Sequence, residues 1–100
     1  MKIPNKLKIG GFTWEIKRDN KDLHVEGGCY GSTHYKDQKI FIEKEIPEDK
    51  ANQALLHEIL HALWWQQGLS SRKYSPELEE EIVHSLSMGL HQVLKDNNLI

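Results

Sequence analysis

Residues 54–65 read A-L-L-H-E-I-L-H-A-L-W-W, nine apolar side chains interrupted only by His57, Glu58 and His61. At 100° per residue the leucines and Ile59 cover well over half of a helix circumference, so this helix must be enclosed on several sides. Three ionisable groups in such a setting cost a few kcal/mol each unless something satisfies them. The rest of the chain therefore has to wrap this segment and partner those three residues.

With 100 residues the chain can build one core, and the expectation is a single domain over 1–100. Leu7-Lys8-Ile9 and Phe12-Thr13-Trp14-Glu15-Ile16 alternate around Gly10-Gly11, a two-residue hairpin signal. Leu23-His24-Val25 and Lys39-Ile40-Phe41-Ile42-Glu43 read as further strands, whereas Asp19-Asn20-Lys21-Asp22 and Gly31-Ser32-Thr33 read as loops. A helix is expected from Pro47-Glu48-Asp49 to about Gln67, closed by Gly68. Ser75, Pro76 and Glu77 carry the signals of a second helix start. Its face of Ile82, Val83, Leu86, Leu90, Val93 and Leu94 is expected to pack on the first helix. The fold class is α+β: three or four antiparallel strands, then two packed helices.

Thirteen Lys and Arg against fifteen Asp and Glu leave a charge of −2, and no basic patch follows a phosphate backbone, so nucleic acid is not an expected partner. The longest apolar run, Ala62 to Trp65, is far short of the roughly 20 residues of a membrane span. The N-terminal residues lack the apolar core of a secretory signal. Cys29 stands alone, so the expected location is the reducing cytoplasm. Oligomeric state is open.

His57 and His61 are four apart and project from one helix face about 6 Å apart along the axis, a spacing at which one zinc ion takes both. Glu58, about 100° round the helix, reaches a water beside the metal without ligating it. This is the H-E-x-x-H arrangement of zinc peptidases, in which the metal acidifies water and polarises a carbonyl while the glutamate moves the proton. Six histidines and ten glutamates give roughly 0.03 chance matches in a shuffled chain, so accident is a poor explanation. A catalytic zinc also needs a third protein ligand. Within Glu77, Glu79, Glu80 and Glu81, the helical pattern points Glu81 away from the seam and leaves Glu79 and Glu80 as alternatives.

His57-Glu58-Ile59-Leu60-His61, followed after eighteen residues by Glu80, resembles the gluzincin metallopeptidases. Their thermolysin-like second motif, N-E-x-x-S-D, laid on Glu79 to His84, implies Glu80 as the ligand and Ile82 as the apolar position. It puts His84 where the family has a carboxylate. The whole chain is similar to small phage- and prophage-encoded proteins of the ImmA/IrrE type. The matching text is Tyr30-Gly31-Ser32, Ile40-Phe41-Ile42, L-L-H-E-I-L-H-A, E-E-x-I-V and Gly89 to Asn97. The resemblance implies a zinc metallopeptidase hydrolysing a peptide or protein substrate. It also implies a substrate platform on the strand before the active helix, residues Gln38 to Glu43, by β-augmentation. Tyr35, Tyr74 and His84 are candidate oxyanion donors. The rival reading is a binding module that zinc merely staples, and a third is a metal-free interaction protein. His24, His34 and His91 read as structural or surface residues, and Cys29 lacks a partner base. Trp64 and Trp65 read as packing, with one of them a candidate wall of the site.

Overall fold

The computed structural model describes residues 2–19, 30–71 and 74–100. The anticipated strand Leu23–Val25, together with His24 and Cys29, lies outside the described residues. Strands β1 (Lys6–Ile9) and β2 (Phe12–Arg18) form the expected hairpin. Its turn places Gly10 at φ 58° and Gly11 at φ 85°, the left-handed region that side chains disfavour and a tight primed turn requires. Strands β3 (Gly31–His34) and β4 (Lys39–Ile42) follow, then helices α1 (Glu48–Gln66) and α2 (Pro76–Asp96), with a short 3-10 turn at Leu69–Ser71 between the helices. The architecture is α+β, and the described residues hold four strands in the order β1-β2-β4-β3.

Three features depart from the sequence reading. Gly31-Ser32-Thr33 is not a loop but most of β3, because pairing with β4 and packing on α1 override its weak strand propensity. The sheet is mixed: β3 and β4 pair antiparallel, but β4 then inserts beside β2 and runs parallel to it, Glu15 opposite Lys39 and Arg18 opposite Ile42. A strand flanked on both sides can be apolar on both faces, and Ile40, Phe41 and Ile42 are all buried. With β4 paired on both sides, Gln38 to Glu43 offers no free edge and is no platform; among the described residues the end strand beside α1 is β3.

The third departure concerns α2. Val83 and Ser87 are its buried residues, while Leu86, Leu90 and Val93 are exposed. Periodicity marks an apolar stripe but does not say which flank meets the neighbour. Here the seam holds a polar pair, Gln53 Nε2 donating to Ser87 Oγ at 3.1 Å. Lys95 near the end of α2 pairs with Asp49 in the first turn of α1, so the helices run antiparallel. Both starts are as anticipated: Pro47 precedes α1, and Ser75 Oγ accepts from the Leu78 N–H at 3.1 Å to cap α2. No described helix is long and apolar enough to cross a membrane.

The core joins Ile9, Trp14, Ile16, Ile40 and Ile42 of the sheet to Ala51, Ala54, Leu55 and Ala62 of α1. Three alanines let α1 lie close on the strands, and Leu55, 1% exposed, fills the space between them. Leu55→Ala should lower unfolding free energy by about 2–5 kcal/mol through the cavity it leaves, measured by urea titration. A loss under 1 kcal/mol would mean that the sheet closes over the gap.

Candidate metal centre

His57 and His61 leave α1 one turn apart and their Nε2 atoms lie 3.2 Å from each other. Glu80 reaches across from the first part of α2, with Oε1 3.0 Å from His57 Nε2 and Oε2 2.8 Å from His61 Nε2. These three residues form a group whose ligand atoms are close enough to share a metal ion. One ligand atom from each of the three residues lies within 4.8 Å of the others, a spread that small side-chain adjustments would bring to the roughly 3.3 Å between donors at zinc bond lengths of about 2.0–2.1 Å.

Hydrogen-bond chemistry favours the same interpretation. His61 Nδ1 lies 2.6 Å from Glu79 Oε2, a carboxylate oxygen that accepts. A neutral ring with its proton at Nδ1 presents a bare lone pair at Nε2, and that lone pair faces the Glu80 carboxylate. Two acceptors 2.8 Å apart repel unless a proton or a cation sits between them. Burial lowers the His57 pKa below the usual histidine value, which favours the neutral ring that a metal binds.

Glu58 is not in the donor triangle but lines the same cavity, about 310 Å³ in volume, with Thr33, Tyr35, His61, Pro76, Glu79 and Glu80. Its side chain is buried, and Thr33 Oγ donates to its Oε1 at 2.7 Å. Burial pushes the carboxyl up to about 6, and the Thr33 hydroxyl pulls against that rise. Strand β3 can come this near only because Gly31 has no side chain: a Cβ there would meet Glu58 Cγ at 3.0 Å and the Phe41 carbonyl oxygen at 3.1 Å. Thr33 escaped the sequence reading because its segment read as a loop.

The remaining candidates separate clearly. Tyr35 lines the cavity, and its phenol is pushed up to about 12, first by burial and then by Glu79, Glu58 and Glu80, so it stays a donor at neutral pH. Its ring also meets Trp65 at 5.2 Å, which makes Trp65 the tryptophan that supports the wall. Tyr74 instead packs on Trp64, and neither lines the cavity. His84 is exposed, with its ring 5.7 Å from that of His57. His34 bonds to Ser32 and covers Phe41. Glu81 stays in solvent, as the helical pattern implied. No protein-family model, curated protein or solved structure matches the chain.

Proposed function

We propose that the chain is a gluzincin-like zinc metallopeptidase of the reducing cytoplasm, with His57, His61 and Glu80 as metal ligands and Glu58 as general base. The supporting observation is the convergence of two imidazoles and one carboxylate on a point beside a cavity that Glu58 also lines. Two nitrogens and one oxygen from three side chains are a common catalytic zinc set, which leaves a fourth position for water or substrate. When bound, zinc would supply Lewis acidity, lowering the pKa of water and polarising the scissile carbonyl.

The residues of the chain do the rest. Glu58 takes the proton of the attacking water and delivers it to the leaving amine nitrogen. Thr33 holds the carboxylate in place by its hydroxyl. Tyr35, protonated and on the cavity wall, donates to the carbonyl oxygen as negative charge builds there. An extended peptide is the fitting substrate, lying along β3, the end strand among the described residues, which carries both Thr33 and the approach to the cavity.

The test is incubation of the zinc-loaded protein with a mixed peptide library, with new termini read by mass spectrometry. Cleavage that stops on chelation and returns with zinc is expected. A zinc-binding protein that cleaves no peptide would favour the stapled binding module instead.

A further inference from the structure

Both nitrogens of His61 are engaged by neighbouring residues of α2: Glu79 Oε2 at 2.6 Å from Nδ1 and Glu80 Oε2 at 2.8 Å from Nε2. The two carboxylates do not share an environment. The Glu79 side chain is 16% exposed and that of Glu80 57%, so Glu79 is the one drawn into the seam between the helices. A carboxylate there is costly without a partner, and the Nδ1–H of His61 is the partner it has.

In the gluzincin pattern the supporting acid stands four residues after the ligand, and here that position is His84. His84 meets His57 ring to ring rather than offering a carboxylate. The acid behind a ligand histidine is instead the residue just before Glu80, and it serves the other histidine. We propose that Glu79 is a positioning residue, which holds His61 with Nδ1 protonated and Nε2 aimed at the metal. This inference rests on the metal-centre reading and adds a residue to it.

The chemistry follows from the bond. Accepting the Nδ1 proton selects one tautomer, fixes the ring orientation and raises the basicity of Nε2. Loss of such a partner costs 10–100-fold in metal affinity as a rule of thumb. Glu79 thus contributes to binding without touching the metal, and the adjacent pair Glu79-Glu80 grips one imidazole from both edges.

The experiment compares zinc affinity of the full chain, by competition with a chromophoric chelator, in wild type, Glu79→Leu, Glu79→Gln and Glu81→Ala. Glu79→Leu puts an apolar side chain in the seam, so the metal-free protein should melt no lower than wild type while zinc affinity falls about 10–100-fold. Glu79→Gln keeps an oxygen that accepts from Nδ1 and should recover most of the affinity, and Glu81→Ala should match wild type. In the metal-free proteins, long-range nitrogen NMR should show the neutral His61 ring protonated at Nδ1 in wild type, with mixed tautomers in Glu79→Leu. Affinity of Glu79→Leu within twofold of wild type, or of Glu79→Gln no better than Glu79→Leu, overturns the proposal while leaving the metal centre intact. Failure of the wild type to bind zinc overturns both.

Discussion

Glu58→Gln should keep one zinc per chain and lower the peptide hydrolysis proposed for the wild type by about 10²–10⁴-fold, the usual contribution of a positioned general base. The amide has nearly the size of the carboxylate, and its oxygen can still accept from Thr33, so cavity and fold should persist. What it lacks is a site for the water proton. The metal-free variant should also be at least as stable as wild type at pH 7. The Glu58 carboxyl is raised from the ordinary 4.5 to about 6 by burial, so its stabilising share is complete below pH 4.5 and is lost as pH rises through about 6. Glutamine removes that penalty at neutral pH. Steady-state cleavage rates, elemental zinc and thermal melts of both proteins check these points together. A Gln variant that cleaves as fast as wild type would remove Glu58 from the chemistry.

Chelation should lower the melting temperature by about 10–20 °C, and added zinc should restore it. The proposed ligands come from two helices, and the fully buried α2 side chains between them are only Val83 and the small Ser87, which bonds to Gln53, with the exposed Asp49–Lys95 pair at the end. A metal held at free concentrations near 100 times its dissociation constant adds about 2.7 kcal/mol to stability. In a domain of this size each kcal/mol moves the midpoint by roughly 4–8 °C. His61→Ala should melt at the chelated wild-type temperature with or without zinc. Equal melting temperatures of wild type in zinc and in chelator would contradict a tie between α1 and α2.

Local signals were legible in the sequence and long-range ones were not. The Gly10-Gly11 hairpin, the Pro47 and Ser75 helix starts and the end of α1 near Gln67 depend on a few neighbouring residues, and they stand where those residues implied. His57 and His61 are one turn apart on a helix, so their meeting needed only that helix. Glu80 was one of two acids compatible with helical spacing, and the gluzincin pattern separated it from Glu79. The donor group contains it. Strand β3 was hidden because Gly31, Ser32 and Thr33 acquire strand conformation from β4, and Gly31 acquires its purpose from the nearness of Glu58. Neither partner is adjacent in sequence. The parallel pairing of β2 and β4 likewise depends on where a hairpin docks. The apolar run Ile40-Phe41-Ile42 carried a signal for an interior strand, and the platform expectation overlooked it. Leu86, Leu90 and Val93 show the limit of periodicity: they form a stripe, yet the helix turns Val83 and Ser87 to its neighbour.

The most direct measurement is a zinc titration of the metal-free protein, read by calorimetry and by elemental analysis after gel filtration, in wild type and in the Glu79→Ala, Glu80→Ala and Glu81→Ala variants. Wild type should bind one ion per chain, Glu80→Ala should lose it, Glu79→Ala should bind more weakly, and Glu81→Ala should be indistinguishable from wild type. No binding by the wild type, or a Glu80→Ala variant that keeps its zinc while Glu79→Ala loses it, would contradict a centre built from His57, His61 and Glu80.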